Sequence, residues 1–399
     1  LFNLPNEKKY GRIVQTIANR FETYGYEKLK VDAFERYELY ANVKTEMNVK
    51  ETIKVTDYDG ELLVVRPDVT LPIAYKYAKQ LELAISPSYE RYYYVEEVFR
   101  QSFEASESIE KMQMGVECFN PSSPLIDAET IALASHALDD LNVTQHQFEI
   151  GFATFLKDLL APFALQEKQV EKIESYVRAK NMAELATYIQ TLQLDEETAN
   201  IIANIPTYYG NFETIAQRLE PYASNEAVKA TLDYVKDVNE YLQLFGVEQH
   251  VVFDFGLINR MDYYSHLIFQ AYVDGVGKPV LMGGRYDRLG ERFGASFPAI
   301  GFAFDLERLM EAVSAVKEDS TAIEITIITE EAYLKEAVQL ANELRNRNFE
   351  AVIGKNAILE TIHTVTLGEE ITLRFNGTTE RFEQIDDCIA YFIDKQGAM

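Results

Sequence analysis

The chain has 399 residues, with 38 Lys and Arg against 64 Asp and Glu and a formal charge of −26. A protein that grips nucleic acid displaces counterions with a basic surface, so this balance argues against RNA as a partner. The length fits two to three domains of about 100–200 residues; no apolar run is long enough for a bilayer and no basic-then-apolar leader opens the chain, so a cytoplasmic protein without membrane contact is expected. Cys118 and Cys388 are the only cysteines. They imply neither a disulfide framework nor a thiolate metal site, and are expected to be buried or inert thiols.

Helical spacing of Ile13, Ile17, Phe21 and Tyr24 predicts a helix from about Asn6 to Tyr24, stopped by Gly25. A hairpin follows, with strands Ile53 to Thr56 and Glu61 to Arg66 around Tyr58-Asp59-Gly60. Aromatic and β-branched runs predict strands at Tyr92 to Phe99, Met112 to Glu117 and Gln147 to Gly151. Between the last two, Ser123-Pro124 starts a helix that carries Ile131, Ala134, Leu138 and Leu141 on one face.

From Phe152 to Glu248 strand patterns vanish and helical periodicity takes over. Strand signals return at His250 to Phe255, Leu267 to Val273 and Pro279 to Met282, before a helix with Leu306, Leu309, Met310 and Val313. After Lys317-Glu318-Asp319-Ser320 comes a strand at Ile323 to Ile328, a helix at Ala332 to Arg345 and shorter strands. The expected domains are a core in two parts, 1–151 and 250–316, a helical insertion at 152–249 and an acidic α/β module at 317–399. Strands joined by short turns imply an α+β fold, an antiparallel sheet flanked by helices. No phosphate-binding glycine loop of the Walker or dinucleotide type is present.

Several motifs resemble the histidyl-tRNA synthetases, a class II aminoacyl-tRNA synthetase family. Val65-Arg66-Pro67-Asp68-Val69-Thr70 is similar to a segment whose acid and threonine hold the substrate ammonium there. Val98-Phe99-Arg100 resembles motif 2, whose arginine binds the ATP α-phosphate. Met112-Gln113-Met114-Gly115-Val116-Glu117 puts Gln113 and Glu117 on one strand face, and in the family those residues line the histidine pocket. Taken alone, Glu117 reads as a solvent-facing strand residue, but inward-facing charge on a strand is costly unless partnered. Gly283-Gly284-Arg285-Tyr286-Asp287 and the Pro298–Leu309 segment look like motif 3, whose glycines let a strand approach the nucleotide and whose arginine is Arg308 here. The resemblance implies a histidine pocket of Asp68, Thr70, Gln113, Glu117, Tyr263 and Tyr264, with Arg100 and Arg308 as residual phosphate contacts.

The departures carry as much information. Asn259 in Leu257-Ile258-Asn259-Arg260-Met261-Asp262-Tyr263-Tyr264 stands where the family has the arginine that helps activate the carboxylate. A neutral amide cannot offset the charge that develops there. The loop after Arg100 carries Glu104, Glu107 and Glu110 with no Lys or Arg before Lys111, and acids repel a triphosphate. Asp32 occupies the characteristic proline position of motif 1, the dimerisation segment. The C-terminal module, with Glu330, Glu331, Glu336, Glu343, Glu369, Glu370, Glu383, Asp386 and Asp387, is poor chemistry for an RNA loop.

A pocket kept while its chemistry is removed resembles the non-catalytic regulatory subunits of ATP phosphoribosyltransferase, which are synthetase-like. That implies no catalytic residue, cofactor or metal in the chain itself. It also implies a short-form catalytic subunit as partner, a dimer with itself, histidine as feedback effector and no tRNA. The alternatives are a divergent histidyl-tRNA synthetase and a synthetase-like amide-forming enzyme, both of which need a working ATP site.

Overall fold

The computed structural model describes every residue except 1–3, 42–51, 86–89, 102–107, 120–122, 259–263, 314–323, 347–349, 355–362, 376 and 397–399. The chain divides into two compact units, Leu1–Val316 and Lys317–Met399.

In the first unit, α1 (Leu4–Thr23) buries Ile13, Ile17 and Phe21 at helical spacing, and Gly25 follows it at φ 78°. Next come β1 (Glu27–Lys28), β2 (Phe34–Arg36) and α2 (Tyr37–Ala41). β3 (Ile53–Thr56) and β4 (Leu62–Val65) form a hairpin whose turn is held by the Asp57 carboxylate, which accepts the backbone N–H groups of Asp59 and Glu61 at 3.0 and 2.9 Å. α3 (Thr70–Glu82), β5 (Glu90–Phe99) and β6 (Glu110–Phe119) follow. α4 (Pro124–Asp140) starts where Ser123 Oγ accepts the Ile126 N–H at 3.3 Å and Pro124 fills the first turn.

After β7 (His146–Phe152) come α5 (Phe155–Leu160), α6 (Glu167–Arg178), α7 (Met182–Ile189) and α8 (Glu196–Asn204). Strand β8 (Tyr209–Gly210), α9 (Phe212–Leu219) and α10 (Glu226–Phe245) complete that segment. β9 (Val251–Asp254), β10 (Leu267–Val273), β11 (Leu281–Arg285), β12 (Ala299–Asp305) and α11 (Leu306–Ala312) finish the unit.

These strands build a nine-stranded sheet in the order β1-β5-β6-β12-β11-β10-β7-β9-β8, beside a three-stranded sheet β2-β4-β3. From β5 to β7 every pairing is antiparallel, as the short connections predict. The flanks differ from that expectation, because β1 joins β5 and β9 joins β7 in parallel. A parallel pair needs a long crossover, and between β7 and β9 the helical segment is that crossover.

Successive residues of β6 point to opposite faces. Met114, Val116 and Cys118 enter one core cluster with Ile17 and Phe21 of α1 and Ile131, Ala134 and Leu138 of α4. Gln113, Gly115 and Glu117 therefore face the other side. There Val64, Leu71, Tyr77, Tyr94 and Tyr286 form a second cluster around the entry to α3.

The second unit holds β13 (Glu324–Thr329), α12 (Leu334–Arg345), β14 (Glu350–Gly354), β15 (His363–Leu367), β16 (Ile371–Phe375), β17 (Thr378–Phe382) and α13 (Ile385–Gln396). Its sheet runs β14-β13-β15-β16-β17, parallel among the first three and antiparallel beyond.

Several elements depart from sequence expectation, among them β1, β2, α2 and β12, where none was expected. α3 was not anticipated, although Leu71, Ala74, Tyr77 and Ala78 are buried at helical spacing on it. β8 lies inside the segment read as wholly helical, held by β9 across Tyr209↔Asp254 and Gly210↔Phe253. β11 begins at Leu281 rather than Pro279, whose nitrogen cannot donate to a ladder. Both cysteines are buried, and burial pushes the thiols up to about 11 for Cys118 and about 12 for Cys388. Among the described residues, no helix is long and apolar enough to cross a membrane.

Candidate ligand-binding site

The open face of the nine-stranded sheet is hollow because small residues occupy its centre. Gly115 of β6, Gly301 and Ala303 of β12 and Gly284 of β11 share one face through the pairings Glu117↔Gly301, Gly115↔Ala303 and Gly301↔Gly284. Over them lies a pocket of about 210 Å³ lined by Asp68, Thr70, Arg100, Gln113, Glu117, Tyr264 and Arg308, among others. Drug-sized ligands take about 300–1,000 Å³, so this hollow suits one small metabolite.

Glu117 is the chemical centre. It is 1 % exposed, and its carboxylate accepts from Thr70 Oγ1 at 2.6 Å and from the Tyr286 hydroxyl. Burial raises this carboxyl to about 7, against the two hydrogen bonds that hold it down; the nearby Asp68 charge raises it further. Among the described residues, no protein cation is bonded to it. The carboxylate crosses Gly301, where an added Cβ would clash with Oε2. Gly301 is therefore required for Glu117 to occupy this position.

Asp68 sits at the turn from β4 into α3. Its Oδ1 accepts the Leu71 N–H at 2.8 Å, satisfying one orphan donor at the start of the helix, while Oδ2 is buried without a partner. Burial raises its carboxyl, opposed by the Leu71 N–H and the charges of Arg100 and Arg66. A buried acceptor without a donor costs about 1–3 kcal/mol. A cationic ligand group would remove that penalty.

The two arginines are engaged by the protein. Arg100 Nε donates to Pro67 O at 2.6 Å. Arg308 Nη1 donates to Pro279 O at 2.9 Å and its Nε pairs with Asp305 Oδ2 at 3.2 Å, and Asp305 itself lines the pocket. The acid beside Arg308 weakens that site for a triphosphate.

Seven of the residues singled out in the sequence thus line one pocket: Asp68, Thr70, Gln113, Glu117, Tyr264, Arg100 and Arg308. Tyr263, Asn259, Glu104 and Glu107 lie outside the described residues. Glu110 starts β6 and is exposed. The sequence reading missed Tyr94 and Tyr286 as site residues. Tyr286 stands in the Gly283–Asp287 segment, where only the glycines carry a recognisable signal. Those glycines make room for protein side chains: a Cβ on Gly284 would meet the Tyr264 ring at 2.8 Å, and one on Gly283 would meet Phe302 Cβ at 2.5 Å on the opposite side.

Asp139, His146 and His250 also bring metal-ligating atoms within 4.8 Å of one another. Both His146 nitrogens are already engaged, Nδ1 with Val143 O at 2.7 Å and Nε2 with Ser135 Oγ at 2.8 Å. That pattern is a hydrogen-bonded core histidine.

The model of the histidyl-tRNA synthetase family matches residues 2–309. An ATP phosphoribosyltransferase regulatory subunit of Oceanobacillus iheyensis is 31% identical over 393 residues, covering 97% of this chain and 96% of the relative. The chain belongs to the histidyl-tRNA synthetase-like family of ATP phosphoribosyltransferase regulatory subunits. A regulatory subunit of the same name from Acetivibrio thermocellus is 29% identical, over 84% of this chain and 80% of its own. Two solved structures share the fold. One is described as an ATP phosphoribosyltransferase regulatory subunit/histidyl-tRNA synthetase from Bacillus halodurans, with TM-score 0.75 and 24% identity over 89% of this chain and 90% of that one. The other is a histidyl-tRNA synthetase from Nostoc sp. PCC 7120, with TM-score 0.80 and 16% identity over 98% and 96%. Family membership accounts for a class II body around a small pocket.

Proposed function

We propose that this chain is the non-catalytic regulatory partner of a short-form ATP phosphoribosyltransferase catalytic subunit, in the cytoplasm, and that free histidine is its effector. The observation that carries the effector reading is the pocket itself: two buried carboxyls, Asp68 and Glu117, neither bonded to a protein cation among the described residues, beside Thr70, Gln113 and Tyr264. A small amino acid supplies what such a site lacks, an ammonium for Asp68 and a ring N–H for Glu117. The arginines tied to Pro67 O, Pro279 O and Asp305 speak against nucleotide activation. Named relatives favour a regulatory subunit over a divergent synthetase.

A chain that acts without chemistry of its own works by biasing a partner's equilibrium, so histidine must bind the active and inhibited complexes differently. We further propose a homodimer through the 25–36 segment, no tRNA binding, and a protein-contact or structural role for the acidic second unit. The division into a core, 1–151 with 250–316, and a helical insertion, 152–249, is part of the same reading. Calorimetry and co-elution test it together. Histidine should bind the full chain, Glu117→Ala should weaken it by about 1.5–3 kcal/mol, and the chain should co-elute with the transferase. Unchanged affinity in Glu117→Ala places the effector elsewhere; histidine-dependent pyrophosphate exchange at synthetase rates would restore the alternative.

A further inference from the structure

Tyr94 is a polar group of this pocket that neither the sequence reading nor the family membership assigns. It lies on β5 directly opposite Gly115, with Glu96 opposite Gln113 and Tyr92 opposite Glu117. The two polar residues of β6 therefore flank the position that Tyr94 faces. Because Gly115 has no side chain, the Tyr94 ring crosses the vacancy: a Cβ at 115 would lie 2.6 Å from the phenol oxygen and 2.4 Å from Phe302 O. The residue is 1 % exposed and lines the pocket, yet its hydroxyl makes no hydrogen bond among the described residues. Burial is the main reason its phenol titrates well above the ordinary value, followed by the Glu117 and Asp68 charges, so the hydroxyl keeps its proton.

A buried tyrosine hydroxyl ordinarily finds a partner. Here the strand register delivers it to the pocket floor, between Gln113 and Glu117. We propose that the Tyr94 hydroxyl is a specificity-determining contact for the ring end of the bound amino acid. Its ligand class is an amino acid whose side chain presents both a donor and an acceptor, as a neutral imidazole does. Glu117 can only accept while ionised, and Tyr94 supplies the donor that the other ring nitrogen needs. The assignment rests on the histidine reading above and deepens it. It also gives Gly115 a reason, since any side chain there would displace the phenol.

The test uses the full chain, with calorimetry on histidine and competition by β-(2-thienyl)alanine, a five-membered-ring analogue without ring nitrogens. Tyr94→Phe removes only the oxygen. It should weaken histidine about 3- to 10-fold, the usual worth of one neutral hydrogen bond, and leave thienylalanine unchanged, so that the selectivity ratio falls by the same factor. Thermal stability should hold, because the hydroxyl bonds no group among the described residues. Equal loss for both ligands, or a lowered Tm with the lowered affinity, would assign Tyr94 a packing role and overturn the contact. Histidine binding equally to wild type and Tyr94→Phe would overturn it while leaving the pocket reading intact. A wild-type chain that binds no histidine would remove both.

Discussion

Glu117 and Asp127 are both buried carboxylates on the first unit, and they are compensated in opposite ways. Asp127 on α4 meets the Arg285 guanidinium, with Nε at 3.0 and 3.3 Å from its two oxygens, and also accepts from the Tyr234 hydroxyl of α10. Among the described residues, Glu117 meets only hydroxyls, from Thr70 and Tyr286. Burial raises both, Asp127 to about 6 with Arg285 pulling it back and Asp287 pushing it up, and Glu117 to about 7. The difference teaches how to separate a joint from a site. Asp127 is closed by a protein cation and ties the sheet to α4 and the helical segment. Glu117 keeps its demand for a donor directed at an open pocket.

The sharpest way to break the comparison is to remove the cation from the joint. Arg285→Leu leaves Asp127 buried without its counter-charge, which typically costs about 3–5 kcal/mol. Denaturant unfolding should show a loss of that size. A loss under about 1 kcal/mol would mean that the Asp127 pair contributes little and that the two carboxylates differ less than their partners suggest.

Much of the site was legible because it rests on local rules. Gln113 and Glu117 share a face through the period of two on one strand, and Asp68 and Thr70 lie within three residues. What was not legible depends on pairing between distant segments. Tyr94 enters the pocket only because β5 and β6 align it with Gly115. Arg285 and Asp127 are 158 residues apart, and nothing in either neighbourhood names the other. α3 starts without a side-chain cap at its N-cap residue to mark it, and β8 exists because β9 offers it an edge. The parallel flanks followed from a crossover whose length was visible and whose landing strand was not.

Titration separates the carboxylates in a second, smaller way. Glu117 holds its proton more tightly in the native state than in the unfolded chain, where the ordinary carboxylate value applies. Its ionisation above about pH 7 therefore costs stability, and its contribution rises as pH falls through 7 toward the unfolded value. Glu117→Gln removes that titration. Denaturant midpoints at pH 5.5 and pH 8 should differ less in Glu117→Gln than in wild type, with the variant gaining most at the higher pH. A variant that loses stability at pH 8 would show the ionised carboxylate to be better compensated than two hydroxyls allow.

The smallest effect is expected where a carboxylate is compensated in water. Asp32, at the motif 1 proline position, pairs with Lys76 Nζ at 2.7 Å, but the two side chains are 72% and 42% exposed. The hydrogen bond and charge of Lys76 lower its carboxyl, so any stabilisation is present above the ordinary carboxylate value and fades as pH falls through the lowered one. Solvent screens such a pair, and Asp32→Ala should cost no more than about 0.2–1 kcal/mol, less in high salt. Because Asp32 lies in the segment proposed to join two copies, the measurement also bears on assembly. A cost well above that range, fading on dilution together with the dimer, would mean that a second chain shields the pair from water. A small, concentration-independent and salt-sensitive cost would leave Asp32 on a free surface and place the dimer contact on its neighbours.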